Sequence, residues 1–168
     1  MKKIIDKIKP YIKEAIPYII IVIAVILLRT FIITPVRVSG VSMDPTLSDG
    51  EIMLLYKLSD IKRNNIVVID SGSEDGYLIK RVIALPGETI EYSNDTLYIN
   101  GKKVSDKYGD GKTEDFEKIK LNDDEFFVMG DNRVWSKDSR MIGPVKADDI
   151  IGTTNVVIFP FNKIGKVK

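Results

Sequence analysis

A run of apolar residues near the N-terminus, IPYIIIVIAVILLRTFII at residues 16–33, constrains this chain more than any other feature. A helix of about 20 apolar residues is long enough to cross the ~30 Å hydrocarbon core of a bilayer. The run contains a single charge, Arg29, near its end, where a long side chain can extend to the membrane interface. The sequence therefore predicts a membrane-spanning helix, which we assign to residues 16–34.

The charges on either side of this helix predict its orientation. Residues 1–15, MKKIIDKIKPYIKEA, carry five lysines and two acidic residues, whereas only Arg37 follows the helix closely. Because positive flanks stay in the cytoplasm, we expect a cytoplasmic basic tail over 1–15 and an extracytoplasmic domain over 35–168. A cleaved leader is the alternative, but its apolar core is usually only about 7–15 residues long, and no Ala-x-Ala follows the run. We therefore expect a permanent single-pass anchor in the cell membrane.

Beyond Pro35, short strand-like runs separated by turn residues predict a mostly β domain. The Asn100-Gly101 pair is typical of a two-residue hairpin turn, and no convincing helical period appears after residue 35. The polar residues 105–124 are expected to form an exposed loop or a weak ribbon. We expect an antiparallel β-sheet or barrel-like domain with a small additional ribbon or loop. The predicted strands are 51–58, 65–70, 77–85, 89–93, 96–100, 125–130 and 150–159.

The composition excludes several kinds of chemistry. The chain has neither histidine nor cysteine, which excludes serine–histidine triads, thiol proteases and Cys/His zinc sites. A formal net charge of +1 gives no electrostatic basis for a nucleic-acid partner. No calcium-loop spacing of carboxylates appears, so we expect neither a metal nor another cofactor.

Ser42, in SGVSMDPTL, lies in a predicted tight turn. A serine there is usually only a turn residue, and as a nucleophile it would need a base, which without histidine is a carboxylate, a tyrosine or a neutral lysine. Lysine has a pKa of about 10.4 and acts as a base only when burial lowers it. Lys80, in YLIKRVIAL, shares a predicted strand face with Leu78 and Val82. It is therefore the candidate base, although lysines in strands more often lie on a solvated side or edge.

A third segment, GDNRVWSKDSR at residues 130–140, directly follows the apolar run EFFVM. Polar residues this dense at the end of a buried strand suit a shell that orients a catalytic group. A polar surface loop is the simpler interpretation of the same composition.

Taken together, the three segments resemble the sequence boxes of the bacterial type I signal peptidases. SGVSMDPTL looks like the Ser-Met-x-Pro-Thr-Leu box of that family, and KRVIALPGE is similar to its Lys-Arg-x-Ile-(Gly/Ala)-x-Pro-Gly box. GDNRVWSKDSR is similar to its Gly-Asp-Asn-Arg-x-x-Ser-x-Asp-Ser-Arg box. The order of the boxes behind an N-terminal anchor also matches, and the resemblance extends to GPVKADDIIG and the closing FPF.

The resemblance implies a membrane-anchored serine endopeptidase that removes signal peptides from exported preproteins. Cleavage after small residues, Ala-x-Ala, through an acyl-enzyme is implied, with Ser42 as nucleophile and Lys80 as general base. The partners implied are the signal peptides, membrane lipid and the protein-export machinery. Supporting roles are implied for five residues of the third segment: Ser136, which would bond the Lys80 amine, the salt-bridged Asp138 and Arg140, and Asp131 and Asn132, which would fix the turn.

The oxyanion hole and the substrate pocket are less completely described. Some members of the family carry a serine two residues before the nucleophile whose hydroxyl helps to form the oxyanion hole, and here that position is Gly40. The Ser42 backbone N–H is a plausible donor, while Gly40 leaves the second donor unassigned. We expect shallow apolar pockets that admit only small side chains, with walls formed by Val38, Met43, Leu78 and Ile79.

Two other interpretations remain. Self-cleaving repressors use the same pair of residue types, but they are soluble and carry a DNA-binding module, whereas this chain begins with an anchor. A non-enzymatic, membrane-anchored β domain that binds a partner protein is the alternative from a different class.

Overall fold

The computed structural model describes residues 2–72 and 76–167 and begins with a long helix, α1 (Lys2–Phe31). Its segment Lys13–Phe31 is apolar and long enough to cross a membrane, and none of it is buried against the rest of the chain. The predicted span is wrong at its end, because Ile33 and Thr34 already belong to the first strand. Pro35 disfavours the helical conformation at the residue before it, and the Thr34 hydroxyl donates to the Arg29 carbonyl at 2.7 Å.

The helix also continues through residues 2–15, which we predicted as a separate tail.

The domain after α1 is built from β-strands, and the expected mostly β, antiparallel fold is confirmed. Each of the seven predicted strands is present, with ends that differ by at most two residues. The only α-helix described after residue 35 is α2 (Ser139–Ile142). The strands are β1 (Ile33–Arg37), β2 (Ile52–Tyr56), β3 (Ile66–Asp70), β4 (Tyr77–Ala84), β5 (Thr89–Ser93), β6 (Thr96–Ile99), β7 (Lys102–Val104), β8 (Phe116–Lys120), β9 (Glu125–Met129), β10 (Val145–Lys146), β11 (Ile150–Phe159) and β12 (Gly165–Lys166).

The large sheet holds eight strands in the order β1-β2-β11-β3-β4-β9-β10, with β12 paired to β11. All of its pairs are antiparallel, and β4 lies inside the sheet between β3 and β9. The helix joins this sheet without a linker, since β1 begins two residues after α1 ends. Lys57, after β2, donates its amine to the Thr30 carbonyl at 2.8 Å, which places a positive charge at the negative end of the helix dipole.

The small sheet has four strands in the order β7-β6-β5-β8, where we predicted only a ribbon or loop. The hairpin turn is confirmed, with positive φ angles of 52° at Asn100 and 73° at Gly101. In the small sheet the sequence did not reveal β8, whose apolar residues Phe116 and Ile119 are three positions apart rather than two. A register shift in its pairing with β5 breaks the alternation, and the Phe116 ring stacks on that of Phe127 at 5.4 Å. The strands β1, β10 and β12 of the large sheet were also not predicted.

Two apolar clusters position the candidate site. One joins the small sheet to the large one through buried residues of β4, β5, β6 and β9, which include Ile83, Ile90, Ile99 and Phe127. The other buries Met43 and Leu47 against β2, β3 and β11. The turn that follows β1 is therefore packed against the large sheet through Val38 before it and Leu47 at its end.

Candidate active site

Ser42 lies in the turn between β1 and β2, and the burial of its neighbours sets its orientation. Met43 and Leu47 are fully buried, and the Leu47 N–H donates to the Met43 carbonyl at 2.9 Å. Because these apolar side chains point into the core, the Ser42 hydroxyl faces β4, where it contacts the side chain of Lys80.

Lys80, on β4, is buried with 3% of its surface exposed, and its amine donates to the Ser42 hydroxyl at 2.8 Å. Burial lowers the pKa of Lys80 from its ordinary 10.5 to about 8, against the attraction of Asp138 and with the repulsion of Arg140. An amine with this pKa is neutral in part of the molecules near neutral pH. In that state it can accept the proton of the hydroxyl it contacts, which makes the two residues a candidate nucleophile and base.

Asp138 organises the polar loop that follows β9. Its fully buried carboxylate accepts from the Gly130 N–H at 2.9 Å and from Arg140 Nε and Nη2 at 2.8 Å each. Burial alone would raise the pKa of Asp138, but hydrogen bonds from Arg140, Ser136 and the Gly130 N–H, together with the charge of Arg140, hold that pKa below its ordinary value. The expected Asp138–Arg140 ion pair is thus present, and the carboxylate stays ionised beside the site.

Asp131 and Asn132 lie in the same loop, but their contacts differ from those expected. Asp131 is paired across the sheet with Arg81, at 2.8 Å from Oδ1 to Nε and 2.6 Å from Oδ2 to Nη2. The Asn132 side chain accepts from the Trp135 N–H at 3.2 Å, and its own N–H donates to the Ser42 carbonyl at 3.1 Å. Asn132 therefore closes the turn as predicted and also holds the main chain of Ser42, which no sequence signal indicated.

The structure does not give Ser136 the contact expected of it. Its hydroxyl is buried and makes no hydrogen bond of regular geometry with a described residue, so the predicted bond to the Lys80 amine is absent. The hydroxyl instead lies near the Asp138 carboxylate and helps to lower the pKa of Asp138. Close packing accounts for this position: a Cβ at Gly130 would lie 2.2 Å from Ser136 Oγ and 2.4 Å from the Ser42 carbonyl oxygen. Ser136 and the Ser42 main chain thus press against the same glycine.

The two positions considered for the oxyanion hole differ in availability. Among the described residues, no group accepts a hydrogen bond from the Ser42 N–H. The Gly40 N–H donates to Asp49 Oδ1 at 2.8 Å, so it is already occupied in this structure and the second donor stays unassigned. The left-handed φ of +82° at Gly40 orients this bond, a conformation that glycine adopts without strain.

A cleft of about 350 Å³ opens beside Ser42 and Lys80. It lies between the segment around β1 and the first half of β4, and Tyr77, 66% exposed, stands at its margin. Its lining includes all four residues predicted as pocket walls: Val38, Met43, Leu78 and Ile79. Among the described residues, no cluster of three or more acidic side chains could hold a metal ion.

Comparison with known proteins identifies relatives over most of the chain. Residues 11–159 match the family model described as "Signal peptidase, peptidase S26". The chain is 43% identical to signal peptidase I of Bacillus licheniformis in an alignment that covers 88% of each chain. It is 38% identical to signal peptidase IB of Staphylococcus aureus strain Mu50 in an alignment that covers 90% of this chain and 93% of the relative. A crystal structure of a signal peptidase I from Enterococcus faecalis V583 matches with a TM-score of 0.51 and 34% identity, covering 56% of this chain and 97% of that one.

Proposed function

This chain belongs to the signal peptidase family, peptidase S26, and we propose that it removes signal peptides from exported preproteins with Ser42 as nucleophile and Lys80 as general base. Family membership makes the chain a peptidase, a hydrolase that removes signal peptides, so a non-enzymatic binding domain is no longer an alternative. The observation that carries the finer proposal is the 2.8 Å contact between the buried Lys80 amine and the Ser42 hydroxyl.

The proposed reaction runs through an acyl-enzyme. Neutral Lys80 takes the Ser42 proton as Oγ attacks the scissile carbonyl carbon, and the Ser42 N–H donates to the oxyanion. The protonated amine then gives its proton to the leaving nitrogen, and the mature protein departs with a free N-terminus. A water that Lys80 deprotonates attacks the ester carbonyl, and release of the carboxylate restores the Ser42 hydroxyl.

The cleft beside Ser42 suits an extended peptide. Its two sides are main-chain segments, around β1 and in β4, and an extended substrate between them can form strand-like hydrogen bonds. Apolar side chains of Val38, Met43 and Ile79 line the cleft, which suits small apolar side chains of the kind that the family resemblance implies. We propose cleavage after Ala-x-Ala on this basis.

The helix α1 is proposed as the anchor that holds the domain at the membrane. The apolar segment Lys13–Phe31 is exposed along its length, and the basic residues before it favour a cytoplasmic N-terminus. Because β1 follows within two residues, the catalytic domain would lie directly at the extracytoplasmic surface. Signal peptides emerging from the export machinery, still in contact with membrane lipid, would reach the cleft there.

Cleavage of a purified preprotein by the full chain in detergent tests the proposal. The wild-type chain should release the mature protein after Ala-x-Ala, and replacing the final alanine by leucine should prevent cleavage. Ser42→Ala should be inactive, while Ser93→Ala, in β5 of the small sheet, should cleave like wild type. Wild-type cleavage by Ser42→Ala would refute the assigned nucleophile, and efficient cleavage after leucine would refute the specificity.

A further inference from the structure

Arg133 is a buried cation that the proposed reaction does not use. Only 3% of it is exposed, and its guanidinium donates to both carboxylate oxygens of Asp106, with a distance of 2.7 Å from Nη2 to Oδ1. Further bonds run to Thr113 Oγ1 at 3.3 Å and from Nε to the Gly130 carbonyl at 3.0 Å. A planar guanidinium bonded on each of its sides is held in one orientation.

The side-chain partners of Arg133 come from residues 106–113, within the connection between β7 and β8, and we call this segment the clasp. Gly109 of the clasp approaches so closely that a Cβ there would lie 2.5 Å from Cζ of Arg133. Any other residue at position 109 would have to displace the guanidinium. The small sheet is therefore joined to the loop after β9 by a close-packed ion pair.

The clasp also bonds the main chain of that loop. The Asp110 N–H donates to the Asp131 carbonyl at 2.7 Å, and the Arg133 N–H donates to the Asp110 carbonyl at 2.9 Å. These two bonds form an isolated parallel bridge between Asp110 and Asn132. The main chain at Asn132 is therefore held in place by hydrogen bonds to the residues on both sides of it.

A side-chain contact adds a third attachment. The Tyr108 ring of the clasp lies 3.7 Å from the guanidinium carbon of Arg81, whose carboxylate partner is Asp131. Such a cation–π contact is stronger when the cation is withdrawn from water, as Arg81 is. The clasp thus contacts the loop at Asp131, Asn132 and Arg133.

Asn132 connects this assembly to the candidate nucleophile, because its N–H donates to the Ser42 carbonyl at 3.1 Å. We propose that the clasp positions Ser42 for attack, with Asp106 and Arg133 as positioning residues that act through Asn132. The inference rests on the proposed function, because it concerns the reaction only if Ser42 is the nucleophile. The small sheet then contributes to catalysis without contacting substrate.

A positioning role has a kinetic signature different from a role in binding. Residues 106–113, all of them described, line no part of the cleft, so a loosened clasp should leave KM unchanged. A reacting atom misplaced by about 1 Å can lose about 100-fold in rate, so kcat should fall. The clasp does not contact Lys80, so the pH at which the rate is half-maximal should not move.

The experiment measures kcat, KM and the pH profile of preprotein cleavage per folded molecule, using the full chain in detergent. Asp106→Asn leaves Arg133 without its carboxylate and should lower kcat by about 10- to 100-fold. Thr113→Val removes one long hydrogen bond from the Arg133 guanidinium and leaves its ion pair with Asp106 in place, so it should lower kcat by only about threefold. The matched control is Glu117→Gln, which removes an exposed carboxylate from β8 of the same sheet and should change none of the three quantities.

Each outcome bears on the inference. The inference is supported if kcat falls while KM stays within twofold of the wild-type value and the pH midpoint stays within about 0.3 pH units of it. An unchanged kcat in Asp106→Asn overturns it, as does a loss explained by a higher KM. If Asp106→Asn does not fold, the kcat of Thr113→Val decides in the same way. Failure of the proposed function is distinguishable, because it would appear as an active Ser42→Ala, whatever the clasp variants do.

Discussion

Two adjacent cations on β4, Lys80 and Arg81, are buried to the same extent, with 3% of each exposed, yet their surroundings are opposite. Arg81 has a bidentate carboxylate partner in Asp131, a bond to the Asn64 carbonyl at 2.9 Å and the Tyr108 ring. Lys80 forms no ion pair with any described carboxylate and donates only to the Ser42 hydroxyl. The acidic group that acts on it, Asp138, is itself occupied by Arg140.

The difference shows that the partners of a buried cation, rather than burial itself, decide what it does. A guanidinium keeps its proton in a protein and suits permanent ion pairing. An amine buried without a carboxylate loses part of its affinity for the proton, as the pKa of about 8 at Lys80 indicates. One strand therefore holds a structural cation and a candidate base at consecutive positions.

The change that tests this contrast most severely is Lys80→Arg. It gives position 80 a cation that cannot act as a base, so preprotein cleavage should fall by about 10⁴-fold or more. Lys118→Arg, on the exposed face of β8, is the matched control and should cleave normally. A folded Lys80→Arg protein with wild-type activity would show that Lys80 is not the base.

The structural role of the second cation, Arg81, is tested with the substitution Arg81→Met. Asp131 would then stay buried without its partner, so the free energy of unfolding should fall by about 3–5 kcal/mol. Urea denaturation in detergent measures this change. The double variant Arg81→Met/Asp131→Leu should recover much of the loss, since it buries no unpaired charge. If the single variant loses less than about 1 kcal/mol, the ion pair does not stabilise the fold in the way argued.

The pH dependence of kcat/KM sharpens the contrast, because Lys80 must be deprotonated to act as the base. The neutral amine is the reactive form, and its fraction falls tenfold per pH unit below the pKa of about 8. The rate should therefore drop by about 50-fold between pH 8 and pH 6 and level off above pH 9. Asp138, with its lowered pKa, stays ionised throughout. A flat profile from pH 6 to pH 9 would contradict the assignment.

The smallest expected effect is a gain of stability in Lys80→Met. At pH 7 the folded wild-type protein carries a largely protonated, unpaired amine in its interior, and its removal should stabilise the fold by about 1–2 kcal/mol. Between pH 8 and 10.5, the folded and ordinary pKa values of Lys80, the unfolded chain binds more protons than the folded one. Wild-type stability then rises with pH, so the gain should shrink. Thermal unfolding at pH 7 and pH 10 measures both values, and an equal gain at the two pH values would refute this account.

Much of the fold was predictable because its signals are local. Alternating apolar residues and turn dipeptides identify seven strands, and an uninterrupted apolar run identifies the helix. The failures arose where distant parts of the chain intervene. β8 was missed because a register shift against β5 removes its alternation, and the helix end was misplaced because Ile33 and Thr34 pair with β2.

The candidate site divides in the same way. The sequence boxes identify Ser42 and Lys80 by the residue types around them. This identification does not depend on how far apart the two residues lie along the chain. The clasp was not found, since Asp106, Tyr108 and Thr113 are scattered through a polar segment with no periodic pattern. Ser136 was assigned a bond that the packing against Gly130 does not provide.

The residue types limit the chemistry that is available: without histidine or cysteine, a serine nucleophile must use another base. The apolar run and the strand periodicity predict that this serine lies in an anchored β domain. Which cation is paired with a carboxylate and which contacts only a hydroxyl depends on the folded arrangement. The Lys80 contact spans 38 residues of sequence and the Arg81 contact spans 50. Periodicity depends on neighbours along the chain, whereas the pKa and partner of a buried charge depend on groups that only folding brings together.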